Sequence, residues 1–168
     1  RFSGHGLPRH FYDDWVLVAD EEAKHFRLLA DRLSDFDATY GDLPAHDGLW
    51  DSAIETSHDL AARLAVVPLV LEARGLDVTP MMISKLRAVD DPDTAALLEV
   101  IYRDEIGHVE IGQRWFEFEC ARRGLEAETH WRRLVERHFR GALKPPFNTE
   151  ARDAAGMPQD WYLTVPSS

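Results

Sequence analysis

The sequence predicts an all-α protein built as a bundle of helices. Apolar residues recur at steps of three and four along residues 11–33 and 92–123, which is the spacing of one helix face. The second stretch also has clear ends, since Asp91-Pro92 places a capping acid before a first-turn proline and Gly124 follows its last turn. Neither an alternating strand pattern nor a repeat of fixed period is present.

Three further helices are predicted between and after these two. Pro68 is expected to bend the first of them, the helix over 49–74, one turn before Glu72. Gly75 is interpreted as the end of that helix, and Thr79-Pro80 as the cap and first turn of the next. The tail from Pro145 is rich in Pro, Asp and Gly, and we expect an ordered arm over the bundle that forms no further element. The three helices predicted are 49–74, 80–89 and 126–143.

The composition is that of one soluble globular domain of 168 residues. Apolar residues make up 45% and charged residues 29%, and no apolar run approaches the roughly 18 residues of a membrane span. The single cysteine, Cys120, excludes an internal disulfide framework and is expected to be a small buried hydrophobe. We therefore expect a cytoplasmic protein in which 1–168 form a single helical domain and 145–168 are its C-terminal arm.

The charge limits the partners that the sequence allows. A net charge of −11 argues against general nucleic-acid binding, which needs a basic surface. Residues Arg122–Lys144 are the exception, with seven Arg or Lys against three Glu. A solvated helix face explains this segment better than a polyanion site, and it is the one segment through which nucleic acid would bind.

Two short stretches of the chain carry the same chemistry. Asp104-Glu105-Ile106-Gly107-His108 has a near copy at Glu21-Glu22-Ala23-Lys24-His25, and each places a Glu and a His one turn apart on one helix face. Both pairs interrupt an apolar face, where a carboxylate without a cation or metal is costly. Salt-bridged pairs are the alternative, but we favour metal ligation by Glu22, His25, Glu105 and His108. The preceding acids, Glu21 and Asp104, suit the role of acceptor for the other imidazole N–H.

A dinuclear carboxylate site needs further oxygen donors from two other helices. Glu72, beside the Pro68 bend, is the best candidate for one of them. Glu55 is its competitor, because it forms a third Glu-x-x-His motif with His58, and spacing alone does not decide between the two. His58 is expected either near the site or as a hydrogen-bonded core histidine, and we favour the core. We expect the fourth carboxylate to come from a helix before Phe11, and since none is visible there, either the sequence omits such a helix or the site is incomplete.

The motifs, taken in order, resemble those of the ferritin-like di-iron carboxylate superfamily. Three longer segments, 11–15, 40–50 and 103–108, resemble an uncharacterised bacterial ferritin-like family, known only as a domain of unknown function. The likeness covers essentially the whole chain. More distantly, Glu72-Ala73-Arg74 is similar to a motif of the bacterial di-iron tRNA hydroxylase. Proteins of the family carry an N-terminal region with a first Glu-bearing helix, so the resemblance implies a bundle whose first helix is missing from this sequence.

The resemblance implies a non-haem site for two iron ions, or manganese, whose reduced form reacts with dioxygen. The implied function is an oxygen-dependent oxidoreductase or hydroxylase acting on an unknown small molecule. A non-catalytic metal-binding or iron-storage protein is the alternative, so whether the protein is an enzyme stays open, as does a homodimer. The implied roles are bridging or terminal carboxylates for Glu22 and Glu105, one metal each for His25 and His108, a terminal ligand for Glu72, and supporting acceptors for Glu21 and Asp104.

Overall fold

A computed structural model describes residues 2–163, and over this range the chain forms helices and connections without any strand. The predicted all-α helical bundle is confirmed. Within this part of the chain, no helix is both long enough and apolar enough to cross a membrane. The elements are α1 (Arg9–Ser34), α2 (Gly48–Glu55), α3 (Leu60–Val66), a π-helical segment (Val67–Glu72), α4 (Ala73–Ala88), α5 (Pro92–Arg123), α6 (Ala127–His138), α7 (Thr149–Ala154) and α8 (Gln159–Leu163).

The longest helix, α5, is the element against which most of the others pack. It contacts α1 on one side and the continuous run of α3, the π-helical segment and α4 on the other. Its ends are those predicted, because the side chain of Asp91 accepts the backbone N–H of Thr94 and Gly124 adopts a left-handed φ of 67°. Trp115 joins α5 to α1, since its indole N–H donates to Asp14 Oδ2 at 2.7 Å.

The central helix differs from the prediction at three points. The helix predicted to start near Leu49 is interrupted, because Asp59 caps a new helix by accepting the N–H of Ala61. Gly75 does not end a helix but lies inside α4. The prediction of a helix start at Thr79-Pro80 was also wrong, since α4 runs through both residues to Ala88.

A side chain from the tail explains how α4 tolerates an internal proline. Pro80 has no N–H to give to the carbonyl of Leu76, which a regular helix would require. Asn148 supplies the missing donor, because its side-chain amide lies 3.1 Å from Leu76 O. Sequence periodicity alone does not reveal a donor that comes from a distant part of the chain.

The π-helical segment contains Pro68, where a bend was predicted, and ends at Glu72. A π-helical turn holds one more residue than an α-helical turn, and such turns are frequent at functional sites. The segment lies directly against α5 at Gly112, where an added Cβ would be 2.4 Å from Pro68 Cβ. Gly112 is one turn beyond His108, so this close contact fixes the segment beside the second Glu-x-x-His motif.

The tail packs over the bundle but forms two short helices, α7 and α8, where none was predicted. Its main anchor is the buried Arg152, which donates to Asp77 Oδ1 at 2.9 Å and to Asp77 Oδ2 at 2.7 Å. The guanidinium also lies over the ring of Tyr162, 4.5 Å from its centroid. Residues 164–168 of the predicted arm lie outside the described range.

We expect Gly112→Ala to lower the free energy of unfolding by about 1–3 kcal/mol, the usual cost of overpacking a core. The new methyl group would collide with the rigid ring of Pro68. Gly107→Ala is the matched control, because nothing lies within 4 Å of a Cβ at that position of the same helix. Urea unfolding should show Gly107→Ala neutral or up to roughly 1 kcal/mol more stable. Equal effects of both substitutions would contradict the close contact.

Candidate metal centre

The two Glu-x-x-His motifs face each other across the contact between α1 and α5. The rings of His25 and His108 lie 5.7 Å apart, centroid to centroid. His25 is 3% exposed and His108 is fully buried. The two motifs are therefore close enough to share a site whose metal ions lie roughly 3.5–4 Å apart.

Each imidazole is held by an acid from the opposite helix. His25 Nε2 lies 2.9 Å from Asp104 Oδ2, and His108 Nε2 lies 2.9 Å from Glu21 Oε2. Because an ionised carboxylate can only accept, Nε2 is the donor in both pairs. This fixes the orientation of both rings and turns both Nδ1 atoms towards the interior of the bundle.

The Nδ1 atoms of His25 and His108 are buried and have no hydrogen-bond partner. His25 Nδ1 lies 3.6 Å from Glu22 Oε1, and His108 Nδ1 lies 3.2 Å from that same oxygen. Glu105 is also near both, at 3.9 Å from His25 Nδ1 and 3.7 Å from His108 Nδ1. Two ligands that each lie about 2.1 Å from one ion are separated by roughly 3.0–3.5 Å, so this spacing leaves room for ions between the donors.

Glu72 joins the cluster from the end of the π-helical segment. The residue as a whole is partly buried, but its Oε2 atom is fully buried and has no hydrogen-bond partner, like Oε2 of Glu105. Two sets of three donors result, each with its atoms within 4.8 Å of one another, and Glu105 belongs to both. We call them position 1 (Glu22, His25, Glu105) and position 2 (Glu72, Glu105, His108).

The electrostatics of position 2 favour a cation. Burial, together with the neighbouring charge of Glu105, raises the pKa of Glu72 to about 8. Burial alone would lower the pKa of His108, but the neighbouring carboxylates of Glu105, Glu22 and Glu21 outweigh it and raise that pKa to about 10. The imidazole of His108 in turn lowers the pKa of Glu22. Protons thus occupy this acidic cluster in the metal-free chain, and a divalent cation would displace them.

One residue of the site was missed by sequence reasoning. The ammonium of Lys24 donates a hydrogen bond to Asp104 Oδ2, the same oxygen that accepts from His25. Burial raises the pKa of Asp104, but the hydrogen bonds with Lys24 and His25 outweigh it and lower that pKa overall. The available signal was the comparison of the two motifs, since Lys24 stands where the second motif has Gly107.

The competing pair, Glu55 and His58, lies elsewhere in the fold. Both residues are exposed, so His58 is neither in the core nor at the cluster. Glu55 Oε1 lies 3.6 Å from His138 Nδ1, and the ring of His58 lies 5.4 Å from that of His138. Of the two candidates for the third helix, the structure brings Glu72 to the cluster and not Glu55.

One side of the cluster is open. The side chain of Glu22 is 50% exposed, and on the same face of α1 Phe26 and Leu29 are 52% and 42% exposed, although the pattern predicted that they face the core. Beside the first half of α1, a cavity of about 340 Å³ separates this helix from α3 and Pro68. Trp15 lines this cavity, and its buried indole N–H has no hydrogen-bond partner.

These features define an all-helical protein with clusters of Glu and His that could bind a metal ion. The chain belongs to the family described as Protein of unknown function (DUF455), whose sequence profile matches residues 1–163. An uncharacterised protein of Haemophilus influenzae is 42% identical over 165 residues, which cover 96% of this chain and 57% of that protein. The chain thus spans little more than half the length of that relative. No solved structure matches this chain of 168 residues.

In the metal-free protein, the free energy of unfolding should fall as the pH rises from about 4.5 to 8. The folded chain keeps the proton of Glu72 up to a pKa of about 8, whereas the unfolded chain releases it above 4.5, so proton release favours unfolding. His108, whose pKa rises from 6.5 to about 10, acts in the same direction above pH 6.5. Thermal unfolding in the presence of EDTA at pH 5.5 and pH 8 measures the difference.

Glu72→Gln is the matched variant, because the amide keeps the size of the side chain and does not titrate. Its melting temperature should fall less than that of the unchanged protein over the same pH interval. An identical fall in both proteins would show that Glu72 does not hold a proton in the folded chain.

Proposed function

We propose that this protein binds two iron ions, with manganese as the substitute, and acts as an oxygen-dependent oxidoreductase or hydroxylase with a ferritin-like bundle. The observation that carries the proposal is the pair of buried Nδ1 atoms, on His25 and His108, that lack partners and face one shared carboxylate, Glu105. A buried imidazole nitrogen without a partner is costly, and it needs a ligand to justify it.

The donor set fits a pair of hard or borderline ions. Each position offers one imidazole and two carboxylates, without any thiolate, and this suits iron or manganese better than a structural zinc site. Glu105 would contribute to both ions, since it is common to both positions. Glu22 Oε1 also lies near both Nδ1 atoms, at 3.6 Å and 3.2 Å, so it is the natural second shared carboxylate.

The protein's own contribution is to fix the donors and exclude water. The hydrogen bonds of His25 with Asp104 and of His108 with Glu21 hold both rings before any ion arrives. The buried His108 and the buried Oε2 atoms of Glu72 and Glu105 are shielded from solvent. When bound, iron would supply the redox chemistry with dioxygen that side chains lack.

We further propose that this protein, like its relative from Haemophilus influenzae, extends beyond the matched region, and that a helix from the additional part covers the open side of the cluster and contributes a carboxylate to position 1. The half-exposed Glu22 and the exposed Phe26 and Leu29 provide a face that such a helix would bury. The relative from Haemophilus influenzae has additional length outside the matched region. This helix is the source expected for the fourth carboxylate.

Metal analysis of the full-length protein should find close to two iron or manganese ions per chain. Glu105→Ala should lose both ions because this carboxylate belongs to both positions, and His108→Ala should reduce the metal content at least by half. Glu55→Ala is the control that should keep it, since Glu55 lies beside His138 and away from the cluster. Unchanged metal content in Glu105→Ala would contradict the proposal.

Oxidation of the iron-loaded protein separates the two functions that were left open by the sequence. After anaerobic loading with Fe²⁺, exposure to dioxygen should oxidise two iron ions per chain and then stop, with measurable consumption of oxygen. Dependence of further oxygen consumption on an added reductant would support an oxidoreductase. Continued uptake of iron far beyond two ions per chain would instead show a storage protein.

A further inference from the structure

The two halves of the cluster are nearly symmetric, but their supporting acids are not. Asp104 Oδ2 accepts from both His25 Nε2 and the ammonium of Lys24. On the other side, Glu21 Oε2 accepts from His108 Nε2 at 2.9 Å, and no lysine or arginine among residues 2–163 lies within ion-pair distance of Glu21. The charge of Lys24 also acts on Glu21, but less strongly than on Asp104. The two motifs differ at this point, with Lys24 in one and Gly107 in the other.

The ammonium weakens the support that Asp104 gives to His25. A carboxylate oxygen that already accepts from a cation is a poorer acceptor for an imidazole N–H, and the strength of that second hydrogen bond tunes how basic the ligating nitrogen is. His25 is thereby the weaker donor of the pair. The fixed positive charge of Lys24 also repels a divalent cation bound by the neighbouring imidazole.

Burial also favours tighter binding at position 2 than at position 1. Position 2 contains the fully buried His108 and the buried Oε2 atom of Glu72, so its donors have little access to water. Position 1 contains Glu22, whose side chain is half-exposed. Charges interact less strongly where water can enter, and a bound ion exchanges more easily there.

We infer that Lys24 makes the two metal positions unequal, so that position 2 fills first and position 1 binds its ion more weakly and exchanges it. This inference rests on the proposed two-metal function. Lys24 is a positioning residue in this role, since it contacts Asp104 and acts on the metal only through His25.

Titration of the full-length protein with Co²⁺ tests the inference. Calorimetry and the visible absorption of the bound ion monitor the binding. Two resolved binding steps are expected. His108→Ala should remove the tighter step and His25→Ala the weaker one. Lys24→Met should tighten the weaker step, on the order of tenfold, and leave the tighter step unchanged.

Two variants keep the measurement specific. Lys24→Arg preserves the charge and should preserve both steps, which a loss of packing alone would not explain. Lys85→Met changes the charge equally at an exposed position of α4, and it should leave both steps unaltered. Circular dichroism checks the fold of each variant, and Lys24→Gln replaces Lys24→Met if the latter does not fold.

The possible failures are distinguishable. Two identical steps in the unchanged protein, or a weaker step that Lys24→Met leaves unaltered or weakens further, would overturn the inference while the two-metal function stands. Binding of Co²⁺ that survives both His25→Ala and His108→Ala, or no binding at all, would overturn the proposed function and the inference with it.

Discussion

The crossed pairing between α1 and α5 is the interaction on which the rest of the site depends. His25 is held by Asp104 and His108 by Glu21, so each helix supplies both an imidazole and the acid that orients the imidazole of the other helix. Either hydrogen bond alone would leave one ring free to turn. Together they fix the distance and rotation between the two helices and force both Nδ1 atoms into one buried space.

Glu72, the third residue of the cluster to come from another element, is positioned by a different set of contacts. The π-helical segment reaches α5 because Gly112 leaves room for Pro68, and α4 continues past Pro80 because Asn148 serves the carbonyl of Leu76. The buried pair of Arg152 and Asp77 fixes the tail one to two turns beyond Glu72. The tail therefore contributes to the site without contacting it, through the regularity of the helix that carries Glu72.

Periodicity was sufficient to predict α1, and periodicity with capping signals was sufficient to predict α5. The two motifs pointed to Glu21 and Asp104 as acceptors, but they did not predict that each acid lies against the imidazole of the opposite helix. Periodicity and capping signals were misleading in the central helix, where Pro80 and Gly75 look like boundaries but long-range packing and a donor from the tail outweigh local preference. They did not choose between Glu72 and Glu55, because that choice depends on which turn faces α5. Lys24 was missed because a lysine on a helix turn usually faces water.

The extra residue in the turn from Val67 to Glu72 gives the central helix two orientations. One residue of an α-helix corresponds to a rotation of about 100°, so an inserted residue rotates everything before it relative to everything after it. The α3 part can then turn its apolar residues towards both α5 and α6 while the α4 part faces α5 and α7. A regular helix would align one part and misdirect the other. The extra residue thus lets one continuous helix pack against neighbouring helices in two different directions. Glu72 lies at the boundary between the two parts of this helix.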